Sequence, residues 1–285
     1  MSSAPRLFDS EALSQRRHRA ALAPAHFLQR QAAAEVRERL EDINRVFTAP
    51  AVIGPQAEEW SRWLGIENTA VVLPDAEILP FKKGSHDLIV HALSLHWAND
   101  PVGQLVQMRL ALQPDGLMIA CCFGGRSLSE LRAVLAEAEA KIRSGLSPRV
   151  APMGEIRELG SLLQRAGFAL PVVDASLTEV TYENATALMR DLRAMGETNV
   201  LAARERGFFR RDVLALAESL YRQHFPAEGD RIRATAEIVF LTGWAPSPDQ
   251  PQALRPGSAK MRLADALQVE EHSAEDATPR PMQKD

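Results

Sequence analysis

Three short apolar runs, TAVVL at 69–73, DLIVHALSL at 87–95 and GLMIACCF at 116–123, constrain this chain more than any other feature. Each is rich in β-branched and aliphatic residues and short enough to be a strand. None alternates strictly between apolar and polar positions, so both faces of each have to be buried. A fourth run, Ala49 to Ile53, meets Gly54 and Pro55, and the following AEEWSRWL places Trp60, Trp63 and Leu64 on one helical face. Between the last two runs, DPVGQLVQMRLALQPDG repeats apolar residues at helical intervals and closes at Pro114 and Gly116. Strands apolar on both sides and alternating with helices predict a parallel sheet covered on both faces, the doubly wound α/β architecture.

The rest of the chain is organised around that unit. Residues 1–48 read as a helical lead-in, with an amphipathic helix over Ala25 to Ile43. A main domain follows over 49–245, and a mostly disordered tail rich in Pro, Asp, Glu, Gln and Ser covers 246–285, with a short apolar contact expected at MRLADAL. Helices are expected at LSELRAVLAEAEAKIR and GEIRELGSLLQRAGF, a strand near Leu170 to Thr181, a helical insertion at about 182–228, and a last strand at TAEIVFLTGWAP. With 285 residues, 46% hydrophobic, the chain can bury a sizeable core. A net charge of -4 gives no field that favours nucleic acid or a polybasic membrane anchor. No apolar run reaches the roughly 20 residues that span a bilayer, so a cytoplasmic protein is expected, with peripheral membrane contact left open. The Arg-rich start could mark a transit peptide, but Asp9 and Glu11 argue against one. Cys121 and Cys122 are adjacent, hence on opposite strand faces, and read as small buried hydrophobes.

In a doubly wound sheet, ligands bind at the carboxyl ends of the strands, and the glycine turn after the first strand faces them. Gly54 holds that position; the plainer reading is a tight strand-to-helix turn. Asp75, an acid at a strand's end about 20 residues on, is either a ribose-hydroxyl acceptor or a solvated turn residue after Pro74. Ser94, His96 and Trp97 fall at the same sheet edge and could wall a pocket. His96 is either a packed, hydrogen-bonded histidine or an acid–base group. Gly124, Gly125 and Arg126 form a strand exit that could cradle an anion. Neither a metal-ligand spacing nor a G-x-S-x-G elbow occurs, and no catalytic residue is identified.

PDAEILPFKKGSHDLIVHALSLHWANDP, residues 74–101, resembles the class I S-adenosylmethionine-dependent methyltransferase segment that runs from the adenine-contacting acidic loop through the fourth strand. LALQPDGLMIACCFGGRSLSELR, LGSLLQRAGFALPVVD, LMRDLRAMGETN and IVFLTGWAP are similar to a narrower group, the respiratory complex I assembly factors that hydroxylate an arginine, and their bacterial relatives. LFDSEALSQRRHRAA and RPGSAKMRLADAL fit the same group, and the likeness runs from about Leu7 to Ala266. More distantly the chain resembles the malonyl carrier-protein methyltransferases of biotin synthesis.

The resemblance implies a Rossmann-like class I methyltransferase fold, mainly parallel, with a shortened second-strand region and extra helices after the fifth strand. It implies S-adenosylmethionine as cofactor, Gly54 as the surviving glycine of the first loop, Asp75 and Ala76 at the adenine, and Ser94 and His96 on the methionine or substrate side. The partner it implies is a protein substrate, an iron–sulfur subunit of complex I, modified by methyl transfer or by arginine hydroxylation. The departures are specific. The G-x-G-x-G pattern would fall on Gly54, Gln56 and Glu58, and Val52 stands at the acidic position ending the first strand. Only 20 residues separate Gly54 from Asp75, room for one helix and one strand and not two of each. A degenerate cofactor motif is therefore expected, and the alternative function is an inactive binding module that keeps the fold.

Overall fold

The computed structural model describes residues 6–143 and 145–250 together with Asp265 and Gln268. Its contacts divide into one unit over Met1–Ser247 and a second over Pro248–Asp285. The expected disordered tail and its MRLADAL contact lie almost wholly outside the described residues.

Two helices lead the first unit, α1 (Ser10–Ala20) and α2 (Phe27–Ile43). Asp9 caps α1 by accepting the Ala12 N–H at 3.0 Å, and arginines fill its last turn, where the helix dipole favours cations. Then come β1 (Pro50–Ile53), α3 (Ala57–Trp63), β2 (Val71–Leu73) and β3 (His86–His91). β3 stops earlier than DLIVHALSL suggests, because Leu93 turns to φ 39° and Leu95–Trp97 wind into a 3-10 turn. α4 (Pro101–Ala111) starts on an Asp100 cap with Pro101 in its first turn, and β4 (Leu112–Phe123) follows at once. The helical reading through Gly116 is thus corrected to end at Ala111, since Pro114 cannot continue a helix and Asp115 sits at φ 60°. α5 (Ser129–Arg143), α6 (Ile156–Ala166), β5 (Ala169–Tyr182), α7 (Ala185–Met195), α8 (Arg211–His224), β6 (Pro226–Ala227) and β7 (Arg231–Trp244) complete the order.

The strands form one seven-stranded sheet in the order β2-β1-β3-β4-β7-β5, with β6 beside β7. β2, β1, β3 and β4 pair in parallel, while β7 runs antiparallel to both β4 and β5. This is the Rossmann-like class I methyltransferase fold. Alternate residues of each central strand feed two cores. Val52, Val90 and Cys121 pack under α2 and α3 with Trp60, while Ile53, Ile89 and Cys122 pack under α4 and α6 with Leu105 and Leu163. Trp60 is fully buried, and its indole N–H donates to Gln29 at 2.7 Å, so no polar atom of the ring is stranded. A third cluster joins α5, α7 and α8, and a small fourth one pins Phe8 and Leu13 of the lead-in against Trp97.

Candidate functional site

The strand order reverses at β1, since α3 carries the chain to β2 on one side and the chain then returns to β3 on the other. Ligands of open α/β sheets bind at such a switch point, outside the carboxyl ends of the strands. A cavity of about 520 Å³ lies there, lined among others by Arg17, Pro55, Pro74, Asp75, Ala76 and Gln104. Gly54 is buried next to Pro55, which lines the cavity. A Cβ on Gly54 would come within 2.8 Å of the Ala92 Cβ and 3.0 Å of the Ala92 carbonyl oxygen, so only glycine lets β1 turn beside the end of β3.

Asp75 is no solvated turn residue. Its side chain is 9% exposed, and Arg17 Nη1 donates to Asp75 Oδ2 at 3.0 Å. Burial pushes the carboxyl up, but nearby His91 and Arg17, together with hydrogen bonds from Arg17 and Ser94, more than offset it and hold Asp75 below the usual carboxylate range. His91 lies 3.8 Å away, fully buried, and burial lowers its own pKa. Its ring sits 3.2 Å from Gln104 Oε1 and 3.5 Å from Ser94 Oγ, and Gln104 donates onward to the Ala76 carbonyl at 3.0 Å. Asp75 is therefore backed by a line of polar side chains, not by solvent.

Arg17 makes only one of its guanidinium contacts. Nε and Nη2 are buried and have no hydrogen-bond partner among the described residues. These two atoms form the edge that grips a carboxylate through paired hydrogen bonds. The Arg17 stem passes close to Gly196, where an added Cβ would fall 3.3 Å from Arg17 Cγ, so the glycine leaves room for it.

A second cavity of about 570 Å³ opens beyond the end of β4, between α5, α7 and the segment 197–209. Leu131, Leu135, Met153, Met189 and Leu192 give it apolar walls. Trp97 lines both cavities. Its ring packs edge-on against Phe8 with centroids 5.1 Å apart, and its N–H donates to Glu197 Oε2 at 2.7 Å. His96 Nε2 reaches the same oxygen at 2.9 Å, while its Nδ1 accepts the Phe123 N–H at 3.4 Å. That pair of contacts fixes the tautomer, with the proton on Nε2.

The remaining expected site residues are placed differently. Ser94 is fully buried, and the His96 side chain is 3% exposed; neither lines either of these two cavities, because the 3-10 turn points them inward. Glu58, where a motif glycine was expected, is turned outward to Arg62 at 3.5 Å and also lines neither cavity. The Gly124-Gly125-Arg126 turn is closed by a buried carboxylate of the chain itself, since Glu237 Oε2 accepts the Arg126 N–H at 3.0 Å. Among the described residues, no three His, Cys, Asp or Glu side chains are arranged to hold a metal ion, and no helix is long and apolar enough to cross a membrane. Arg17, Gln104 and Glu197 were not singled out from sequence. The one available signal was His91, a polar residue that interrupts the apolar run Leu88–Leu93.

The profile of a methyltransferase domain matches residues 33–120. The mitochondrial arginine-hydroxylase NDUFAF5 of Danio rerio is 36% identical over 198 residues, which are 70% of this chain and 61% of that protein, so the chain spans about three fifths of this relative. Malonyl-[acyl-carrier protein] O-methyltransferase of Halorhodospira halophila is 30% identical over 208 residues, 73% of this chain and 68% of the relative. Among solved structures, the YcgJ protein of Bacillus subtilis matches with a TM-score of 0.45 at 11% identity, covering 75% of this chain and 99% of that one.

Proposed function

The chain belongs to the class I S-adenosylmethionine-dependent methyltransferase family, and from that premise we propose that it holds S-adenosylmethionine in the strand-end cavity and receives a partner protein's side chain in the larger one. The observation that carries this reading is Trp97, a wall of both cavities. One residue thus borders both the place for a donor and the place for an acceptor.

The residues present fit the cofactor. Arg17 Nε and Nη2, buried without a partner, suit the carboxylate of its methionine end. Asp75, held ionised, suits the ribose hydroxyls, with Ala76 beside the adenine. β2 pairs directly with β1, with Leu73 opposite Ile53, so Asp75 stands at the end of the neighbouring strand, where a ribose acceptor belongs. Gly54 contributes the turn that lets Pro55 reach the cavity, while Ser94 steadies Asp75 from behind. When bound, S-adenosylmethionine supplies an electrophilic methyl group on sulfur. The chain's own contribution is to orient the two ligands and to exclude water with Trp97 and the apolar walls beyond it.

The resemblance to complex I assembly factors supports a protein partner, an iron–sulfur subunit of that complex, with arginine hydroxylation as the activity named for the mitochondrial relative. A second reading, a binding module that does without the cofactor, is favoured by one observation: Asp75 is already satisfied by Arg17. Calorimetric titration of the full chain with S-adenosylmethionine and S-adenosylhomocysteine separates the two. Micromolar binding, weakened by about tenfold or more in Asp75→Ala, roughly one charged hydrogen bond, is the expected result. Silence up to millimolar ligand would establish the module, and unchanged affinity in Asp75→Ala would remove Asp75 from the site.

A further inference from the structure

The larger cavity is lined by five arginines, Arg16, Arg149, Arg193, Arg204 and Arg206, against two glutamates, Glu197 and Glu205. Both carboxylates are committed inside the protein. Glu197 accepts from His96 and Trp97, and Glu205 is gripped by Arg143 and Arg149, which hold its carboxyl below the usual range. Some of the arginines are committed too. Arg149 Nε donates to buried Glu139 at 2.7 Å, and Arg204 donates to Asp9 at 2.8 Å, with Arg206 a further 3.7 Å contact on the same Asp9 oxygen. Arg16 on α1 and Arg193 on α7 have neither an ion-pair nor a side-chain hydrogen-bond partner among the described residues. In the same cavity the Thr198 hydroxyl oxygen is buried and has no partner there either.

A guanidinium entering this space would meet two uncompensated positive charges and find no free carboxylate, whereas an acidic side chain would find two guanidinium groups and a hydroxyl donor above apolar walls. We infer that the cavity selects an acidic side chain flanked by apolar residues, with Arg16, Arg193 and Thr198 as its specificity-determining groups. This rests on the reading that the cavity receives a side chain of a partner protein, and it narrows that reading to an acidic segment in place of an arginine.

The test is calorimetric titration of the full chain with three capped peptides, acetyl-Leu-Leu-X-Leu-Phe-amide, where X is Glu, Gln or Arg. The Glu peptide should bind about tenfold more tightly than the Gln peptide, the preference that one charged hydrogen bond confers, and the Arg peptide most weakly. In the double variant Arg16→Gln/Arg193→Gln the Glu preference should collapse while the Gln peptide keeps its affinity, which also reports that the cavity is intact. Thr198→Val should reduce the preference in part. An Arg peptide that binds as well as the Glu peptide, or a Glu preference that survives the double variant, overturns the inference and leaves the cavity a peptide site. If none of the three binds at millimolar concentration, the peptide-receiving reading fails and the acidic specificity falls with it.

Discussion

The ion pair between Arg17 and Asp75 ties the lead-in helix to the strand ends, and its weight follows from where it sits. The two side chains are 16% and 9% exposed, between a surface pair and a fully buried one. Surface pairs are worth about 0–1 kcal/mol, whereas breaking a buried pair costs about 3–5 kcal/mol because the partner is left charged and dry. A single charged hydrogen bond contributes about 1.5–3 kcal/mol. Each of Arg17→Met and Asp75→Asn should therefore destabilise the fold by about 2–3 kcal/mol, the first leaving Asp75 beside neutral His91, the second leaving Arg17 with no anion. Because both remove the same interaction, the double variant should lose about 3 kcal/mol and not the sum, a coupling of about 2 kcal/mol. Urea unfolding at pH 7, followed by far-ultraviolet circular dichroism on all four proteins, measures it. The fold holds Asp75 below its ordinary 3.8, so the pair's contribution is complete above that value and is lost as the pH falls through the lower folded value. A coupling under about 0.5 kcal/mol at pH 7 would put the pair in the surface class and refute this reasoning.

Gly54→Ala should cost about 1–3 kcal/mol through overpacking against Ala92 and its φ of 155°, and Ala92→Gly in the same chain should restore only the share due to the Ala92 side chain; urea unfolding checks both, and no rescue would assign the whole cost to the Ala92 carbonyl and the backbone. Burial lowers the pKa of His91 from 6.5, so below pH 6.5 the unfolded chain takes up a proton that the folded chain refuses, and stability should fall as the pH drops from there towards the folded value. His91→Gln should flatten that slope in unfolding curves between pH 7 and about 5; an unchanged slope would assign it to another group.

The central strands were legible because their chemistry leaves one solution. Both faces of GLMIACCF are apolar, and the sheet indeed sends Cys121 to one core and Cys122 to the other. The first turn of β7, Arg231 to Ala234, was not legible, because it is polar enough to read as loop and is held by pairing with β5, Ile232 opposite Tyr182. α1 was hidden by its charges; it buries only Ala12, Leu13 and Ala20. At the site, an acid at a strand's end pointed to Asp75, but its partner lies 58 residues away, and no local pattern announces a contact of that range. Ser94 and His96 lie at the sheet edge as the sequence suggests, but no pattern in the sequence announces the 3-10 turn at Leu95–Trp97, which turns their side chains towards Asp75 and Glu197.

The short stretch between Gly54 and Asp75 links these observations. Room for a single helix and strand leaves β2 as the edge beside β1, only three residues long, with Val71 and Val72 47% and 38% exposed. An edge that short offers little to another chain's strand, which limits the hazard of an apolar edge. The same shortening brings the acid after β2 to the sheet's switch point. A carboxylate in such a buried place needs a cation, and α1 supplies Arg17, whose stem lies close to Gly196 of the turn that ends α7. The lead-in helix thus serves the strand ends: without Arg17, Asp75 would be a buried, poorly compensated charge. With it, Asp75 keeps its charge at the wall of the cavity, where the proposed cofactor's ribose hydroxyls would need an acceptor.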